Sequence, residues 1–265
     1  MRSNLAVIFI FSLMACSAPV EQIPYGNEVL SKLEIKEFEG RPKNIILLIG
    51  DGTGLNQITL SRMAISGVNS RLYIDQLPYS GISLTHSADN IITDSAAAAT
   101  AWATGTKTKN KFISVTPNEK VLPSLTEALF TKGFLSGVVA TSSVTHATPA
   151  AFYAHVNNRY KEKEIASQLQ SSNINIAFGG GLNFFDLNVN NEQIKYIYEL
   201  DELNNINTSS SKRIIGLFDN DGIRRASFRP SQQLMTKKAL DILSKRTAEC
   251  SGFFLMTEGS QIDWA

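Results

Sequence analysis

The chain has 265 residues, a formal net charge of +1 and 18% charged residues, as expected of an ordinary folded domain with a substantial core. The balanced charge argues against a nucleic-acid-binding surface, and there is no acidic tail that would indicate a solvated segment. Function must therefore be inferred from motifs.

The first sixteen residues have the pattern of an export signal. Arg2 supplies a short positive region, Leu5–Met14 is apolar, and Ala15 is a small residue before Cys16. The apolar run is shorter than the roughly 20 residues of a membrane span. The letters L-M-A-C resemble a bacterial lipobox, in which the cysteine is acylated. The alternative is a plain secretory signal that happens to contain a cysteine.

We therefore expect a lipoprotein-type signal peptide over residues 1–15 and a tether over residues 16–40, which are polar and irregular. This predicts an exported protein of the periplasm or cell envelope, bound to the membrane only through a lipid on Cys16. Cys250 then remains as a single thiol, so the domain over residues 41–265 must be stable through its core and not through a disulfide.

From residue 43 onward, short apolar runs alternate with helical patterns. The runs predict strands at Asn44–Gly50, Phe134–Thr141, Ile174–Phe178, Arg213–Phe218 and Gly252–Thr257. Helices are predicted at Leu55–Ser66, Ser124–Lys132 and Ser231–Lys245. Residues 188–211, rich in Asn, Ser and Glu, are predicted to be a surface insertion. The alternation indicates an α/β fold with a mostly parallel central sheet sandwiched by helices.

Ligands of open α/β sheets collect at the carboxyl ends of the strands, so the polar residues that follow predicted strands belong together. These residues are Asp51, Asp94 and Ser95 (after Ile92), Ser142 to Thr148, and Glu258 and Asp263 (after Thr257). The set is rich in acids and hydroxyls and contains one histidine, His146.

Several common catalytic motifs are absent from the sequence. The Gly-rich residues 50–54 match neither a P-loop nor a dinucleotide-binding loop, and Ser95 does not lie in a G-x-S-x-G turn. Histidine bases are scarce, and we assign no role to His86 or His155. A Ser-His-Asp triad therefore has no support.

A hydroxyl can instead be activated by a metal cation. Carboxylates at neighbouring strand ends suit hard cations. Ser95 opens an Ala-rich helical stretch, whose free N–H groups and dipole favour a phosphoryl group. Arg159 has a planar fork that suits two phosphate oxygens. Simpler interpretations remain open at this stage: Asp94 as an ordinary helix cap, Asp51-Gly52 as a turn, and Arg159 as a solvated helix end.

Taken together, the motifs resemble the alkaline phosphatase family along nearly all of residues 43–265. N-I-I-L-L-I-G-D-G-T-G is similar to the first strand and metal-bridging aspartate, Asp51. T-D-S-A-A-A-A-T-A resembles the nucleophile signature, which implies that Ser95 is transiently phosphorylated beside Asp94. V-T-H-A-T-P-A-A-F-Y-A-H-V-N-N-R resembles the segment that contains a magnesium-binding threonine, Thr148, and the phosphate-binding Arg159.

The segment E-G-S-Q-I-D is similar to the one that supplies a magnesium ligand, Glu258, and a zinc ligand, Asp263. His146 falls where family members carry Asp or His beside the magnesium. The resemblance implies two-step hydrolysis of small phosphate monoesters with two Zn²⁺ ions and one Mg²⁺ ion, and suggests a homodimer.

The chain departs from the family where it ends, because the later histidine zinc ligands are missing. A catalytic zinc normally takes three protein ligands, and here one site would keep only Asp263 and the other Asp51 with Ser95. We therefore expect a carboxy-terminally truncated catalytic domain with weak or no turnover. The alternatives are a non-catalytic remnant that still binds magnesium or phosphate, and a phosphodiesterase of the same superfamily, in which the nucleophile is more often threonine.

Overall fold

A computed structural model describes residues 31–32, 34, 40, 42–67, 69, 71–188, 191–209, 211–247 and 251–264. The predicted signal peptide, Cys16, Cys250 and most of the predicted tether lie outside the described residues. Within them, no helix is both long and apolar enough to cross a membrane.

The described residues group into two compact units. The first contains Leu55–Tyr79 and the described residues before Lys36. In it, helix α1 (Leu55–Ser66) has the bounds predicted from the sequence. Arg62 on α1 donates two hydrogen bonds, of 2.9 and 2.8 Å, to the carboxylate of Asp75. The second unit contains the described residues of Lys36–Gly54 and Ser80–Ala265, and it carries the sheet and the predicted site.

The second unit is built on a parallel sheet. Its strands are β1 (Asn44–Gly50), β2 (Phe134–Ser143), β3 (Ile176–Gly180), β4 (Ile194–Ile197), β5 (Arg213–Leu217) and β6 (Gly252–Gly259). Their order is β1-β6-β2-β3-β5-β4, and every described pairing is parallel. The mostly parallel sheet is therefore confirmed. The carboxyl ends of β1, β6 and β2 lie side by side, which gathers the residues that follow them.

Helices cover both faces of this sheet. They are α2 (Ser95–Thr104), α3 (Leu125–Phe130), α4 (Ala147–Ala150), α5 (Glu162–Ser171), α6 (Leu200–Asn204) and α7 (Gln232–Arg246). Side chains alternate between the faces, so that Phe254 packs in the core with α2, α4 and α5, whereas Phe253 packs in the core with α6 and α7. Burial on both faces explains the apolar runs of β2 and β6, whereas β1 lies at the sheet edge and exposes Ile45, Ile46 and Leu48.

The prediction of a surface insertion at residues 188–211 was wrong. This segment contains β4 and α6, and Ile194, Ile197 and Leu203 are buried. The strand I-K-Y-I is short and half polar, so the sequence has no hydrophobic periodicity there that would predict a strand. It becomes a strand because β5 pairs with it in parallel and α7 packs on the following helix.

The segment before Ser95 also differs from expectation, because Ile92 does not end a strand. Ile91 and Ile92 form a bend, residues 93–94 have no regular secondary structure, and Ile92 is exposed. Its backbone groups bond to side chains, since the Ile92 N–H donates to Asn90 Oδ1 (3.0 Å) and the Ile92 carbonyl accepts from Asn110 Nδ2 (3.0 Å). Side chains thus replace the neighbouring strand as hydrogen-bond partners.

Candidate active site

Ser95 is the first residue of α2, and Asp94 is its N-cap. Asp94 Oδ1 accepts a hydrogen bond of 2.9 Å from the N–H of Ala97, as a capping carboxylate does. Ala96, Ala97 and Ala99 are buried, so the first turn of α2 packs closely while Ser95 stays partly accessible. The cap interpretation of Asp94 is therefore correct, and it leaves the Ser95 hydroxyl free for another partner.

That partner is Asp51, at the carboxyl end of β1. Ser95 Oγ donates a hydrogen bond of 2.9 Å to Asp51 Oδ2. The chain turns sharply after Asp51, with a φ of 66° at Gly52. A Cβ on Gly52 would lie 2.6 Å from Oδ1 of Asp263, so glycine is required both by the backbone conformation and by the close approach of Asp263.

Arg159 reaches the same place from the segment after α4. Its Nη1 donates to Asp94 Oδ2 at 3.3 Å, and its Nη2 lies 3.0 Å from His146 Nε2. The Arg159 side chain is only 12% exposed, which excludes a solvated helix end. Burial and then the nearby Arg159 lower the pKa of His146 to about 4, so the imidazole is neutral and accepts the Arg159 hydrogen bond.

Sequence reasoning missed the turn at Asn110–Lys111, which ties these groups together. Asn110 Oδ1 accepts from the Asp94 N–H at 3.2 Å. The Lys111 N–H donates to Asp94 Oδ2 at 2.9 Å, and the Lys111 carbonyl accepts from the Arg159 N–H at 2.8 Å. Lys111 has a φ of 72°, a conformation uncommon for a residue with a side chain. The sole signal in the sequence was an asparagine between two lysines.

Glu258, near the end of β6, is fully buried. Burial raises the pKa of Glu258 to about 7, although the hydroxyls of Ser260 and Thr148 favour its charged form. Ser260 Oγ donates to Glu258 Oε2 at 2.7 Å. The other carboxyl oxygen, Oε1, is buried and makes no hydrogen bond with a described residue. A buried polar atom of this kind calls for a specific explanation, such as a cation.

The other carboxylates of the site add to this uncompensated negative charge. Burial raises the pKa of Asp51, the Ser95 hydrogen bond opposes that effect, and nearby Asp263 raises it further. Asp51 in turn raises the pKa of Glu258. Thr148 on α4 is buried, with 3% of its surface exposed. Nevertheless, the described residues contain no preformed group of three or more His, Cys, Asp or Glu side chains that could hold a metal ion.

A cavity of about 710 Å³ brings together the predicted site residues except Glu258, which is buried. The predicted residues that line the cavity are Asp51, Asp94, Ser95, His146, Thr148, Arg159 and Asp263. Trp102 and Trp264 also line it, and the rings of Trp264 and His146 meet edge to face with centroids 5.8 Å apart. The cavity has room for a phosphoryl group and part of the molecule that carries it.

Ser95 lies at a helix start, Asp51 and Glu258 lie at the carboxyl ends of β1 and β6, and Arg159 lies beside Asp94. This arrangement on a parallel sheet is that of an α/β protein of the hydrolase type. The sequence profile described as "Alkaline phosphatase" matches residues 42–193 and 178–265, so the chain belongs to the alkaline phosphatase family.

Individual relatives agree with this assignment. Alkaline phosphatase 4 of Bacillus subtilis (strain 168) is 37% identical over 251 residues, covering 87% of this chain and 54% of that protein. The structure of alkaline phosphatase from the Antarctic bacterium TAB5 superposes with a TM-score of 0.75 at 36% identity, covering 85% of this chain and 67% of that one. A mutant of the TAB5 enzyme, solved with Mg bound in its M3 site, gives a TM-score of 0.71 at 33% identity, covering 84% of this chain and 66% of that one.

The chain spans about half the length of the curated relatives it matches, with 54%, 48% and 52% of three of them covered. The family therefore follows from the match, as does the family's association with metal cofactors. Activity, substrates and partners of the whole protein are matters for proposal.

Proposed function

We propose that this chain carries the nucleophile and phosphate-binding part of a metal-dependent phosphate monoester hydrolase that acts through a phosphoserine at Ser95. The observation that carries the proposal is the hydrogen bond of 2.9 Å from Ser95 Oγ to Asp51, at a helix start in a cavity that Arg159 also lines. Small phosphate monoesters are the proposed substrate class, because Arg159 offers positive charge to the phosphoryl group and Trp102 and Trp264 line the same cavity, where the alcohol part of the ester would lie.

In the proposed reaction, Ser95 Oγ forms a bond to phosphorus as the phosphorus–ester oxygen bond breaks. The Ser95 proton passes towards Asp51, whose pKa burial raises and which therefore accepts a proton more readily. The alcohol leaves with the proton that Asp51 accepted, and water then cleaves the phosphoserine, with its hydroxyl passing to phosphorus and its other proton restoring the Ser95 hydroxyl. Arg159 holds phosphate oxygens while Asp94 and His146 hold Arg159.

Magnesium fits the residues present. Asp51, Thr148 and Glu258 are oxygen donors, the ligand type that Mg²⁺ prefers, and the partnerless Glu258 Oε1 is a buried acceptor beside them. A magnesium ion there would supply positive charge that favours the ionised carboxylates. Mg bound in the M3 site of a TAB5 mutant supports the same assignment. His146 would stand beside this ion as a neutral neighbour and not as an established ligand.

Zinc does not fit the described residues in the same way. Asp263 alone, or Asp51 with Ser95, falls short of the three protein ligands of a usual catalytic zinc, and the described residues hold no group of three or more His, Cys, Asp or Glu side chains that could bind it. We derive no step through zinc. The proposal accordingly includes weak or no turnover by the 265-residue chain alone. Export, a lipid anchor on Cys16 and a homodimer complete it as expectations drawn from the sequence and the family resemblance.

The test is chemical trapping of the phosphoserine. The purified chain is incubated with Mg²⁺, Zn²⁺ and a chromogenic phosphate monoester, quenched in acid and examined by mass spectrometry. We expect phosphate on Ser95 and none in Ser95→Ala. Ser83→Ala is the matched control, because Ser83 lines the same cavity, and it should still be labelled.

Two outcomes would reject the hydrolase proposal. One is turnover that persists in Ser95→Ala, since another group would then be the nucleophile. The other is binding of inorganic phosphate, measured by calorimetry, without any phosphoserine. That result would favour the non-catalytic phosphate binder, for which the incomplete zinc ligands are the supporting observation.

A further inference from the structure

A second cavity, which we call the arginine pocket, is formed by the segment that connects β5 to α7 and by residues at the ends of β2 and β6. It has a volume of about 700 Å³ and is lined by Arg224, Arg225 and Arg229 together with polar uncharged residues such as Ser227 and Gln233. No Asp or Glu is among its lining residues, and it shares no lining residue with the cavity at Ser95. In a chain with a formal net charge of only +1, this is a strong local concentration of positive charge.

One buried carboxylate, Asp219, accounts for part of that charge. Arg224 donates two hydrogen bonds of 3.1 Å to Asp219, and Arg229 Nη2 lies 3.7 Å from it. Asp219 is 3% exposed, and burial would raise its pKa, but the Arg224 hydrogen bonds and the Asn220 N–H outweigh burial and hold the pKa at about 2. Asp219 is therefore ionised and orders this loop through Arg224 and Arg229, and no hydrogen bond or ion pair among the described residues joins it to Arg225.

Two parts of this arginine cluster, the Arg225 side chain and Nε of Arg229, have no hydrogen-bond partner among the described residues. Arg225 is exposed and has no hydrogen bond or ion pair with a described residue. Arg229 Nε is buried and likewise makes no hydrogen bond there. The first turn of the 15-residue helix α7 lines the same cavity at Gln232 and Gln233, so the helix dipole adds a further preference for negative charge.

We propose that the arginine pocket binds a small polyanion that carries two phosphoryl groups. Guanidinium forks match phosphoryl oxygens in geometry, and the three guanidinium groups that line the pocket offer more than one such fork. The cavity is also larger than a single phosphate ion requires. The two cavities have no lining residue in common, so occupancy of the arginine pocket can be followed separately from that of the Ser95 cavity.

The test uses methylenediphosphonate, whose P–C–P bridge a phosphatase does not hydrolyse. It is titrated into the ¹⁵N-labelled 265-residue chain while amide resonances are followed by NMR. We expect the amides of Ser227 and Gln233 to shift along one saturation curve, and any shifts around Ser95 to follow a separate curve. Acetate at matched ionic strength should leave the Ser227 and Gln233 resonances in place.

Arg225→Gln removes the guanidinium that has no structural partner, so the fold should be preserved, which a thermal melt confirms. Arg225→Gln should raise the dissociation constant of methylenediphosphonate at the arginine pocket about tenfold, the effect of losing one charge-assisted contact. The titration curve of the amides around Ser95 should not change. Lys237→Gln, an exposed lysine of α7, is the charge-matched control and should have no effect. Shifts confined to the Ser95 cavity, or equal weakening by both variants, would overturn the proposal.

Discussion

The two sides of the Ser95 cavity balance their charge in different ways. On the side of the proposed nucleophile, called here the nucleophile side (Asp94, Ser95, Arg159 and the Asn110–Lys111 turn), the charged groups of Asp94 and Arg159 pair with each other at 3.3 Å. On the carboxylate side (Asp51, Glu258, Asp263 and Thr148), burial and mutual repulsion raise the pKa values of Asp51 and Glu258.

This difference separates two tasks of one site. The nucleophile side is held in place by the chain itself, so its geometry should depend little on ions. The carboxylate side has more negative charge than the described residues neutralise, and its ionised form therefore needs a cation. Asp51 belongs to both, because it accepts the Ser95 hydrogen bond and repels the other carboxylates.

The largest effect should come from a substitution of Asp51, which joins the two sides through its hydrogen bond with Ser95. Asp51→Asn removes the acceptor of the Ser95 proton, and we expect phosphoserine formation to slow by about 100- to 1000-fold. A quenched time course of Ser95 labelling measures this. Asp241→Asn, at an exposed position on α7, is the control. Labelling at the wild-type rate in Asp51→Asn would show that the two sides act separately.

The charge on the carboxylate side can be tested through the pH dependence of the protein's stability. The folded-state pKa of Glu258 is about 7, against an ordinary 4.5, so the folded state binds the proton more tightly and stability falls as pH rises from about 4.5 to 7. Glu258→Gln should remove this fall. At pH 8 without Mg²⁺ it should raise the free energy of unfolding by about 3 kcal/mol.

Urea unfolding at pH 5 and pH 8, with and without Mg²⁺, measures the Glu258 effect. Mg²⁺ should stabilise the wild-type protein at pH 8 and have little effect on Glu258→Gln. Glu164→Gln is the control, because Glu164 pairs with Lys161 at the surface. If the gap between wild type and Glu258→Gln is the same at both pH values, the Glu258 carboxyl is not protonated as inferred.

Single substitutions on the nucleophile side should have smaller effects, because several hydrogen bonds hold Asp94 in place. Asn110→Ala removes the bonds to the Asp94 N–H and the Ile92 carbonyl, and we expect a loss of about 1–2 kcal/mol in stability and roughly tenfold slower labelling of Ser95. Asn110→Asp keeps the acceptor for Asp94 and should recover part of the rate. Asn157→Ala, which loses a surface bond to Glu119, should label normally. A rate loss equal in both alanine variants would argue against a positioning role.

The smallest effect should follow from Arg159→Lys. Lysine keeps the charge but not the planar fork that bonds to Asp94 and His146. We expect the affinity for inorganic phosphate to fall by about 1 kcal/mol, roughly fivefold, in calorimetry. Lys161→Gln, two residues away and exposed, should leave that affinity unchanged. Stronger loss in Lys161→Gln would mean that general charge, and not the fork, attracts phosphate.

Much of the fold was predictable because its signals are local. Continuous apolar runs marked β1, β2 and β6, and Ser124 and Ser231 marked the starts of α3 and α7 by capping. The segment I-K-Y-I of β4 was missed for the opposite reason, since it is too short and polar to show a period. Its strand character comes from pairing with β5, a partner that follows it along the chain.

The candidate site, like the fold, has residues that the sequence predicted and others that it did not. The strand-end positions of the acids and hydroxyls, together with the motifs that resemble the alkaline phosphatase family, were sufficient to select Asp51, Asp94, Ser95, Thr148, Arg159 and Glu258, because residue types and short motifs are read directly from a sequence. The Asn110–Lys111 turn was not predictable, since its hydrogen bonds reach Asp94 and Arg159, 17 and 48 positions from Lys111.

The sequence by itself determined which groups can act and which local elements carry them, because capping, burial patterns and side-chain chemistry are local properties. Only the tertiary structure decided that Ser95 donates to Asp51, that Glu258 is buried with a pKa near 7, and that three arginines share one cavity. The physical reason is that distance, desolvation and charge repulsion depend on parts of the chain that lie far apart in sequence and meet only after folding.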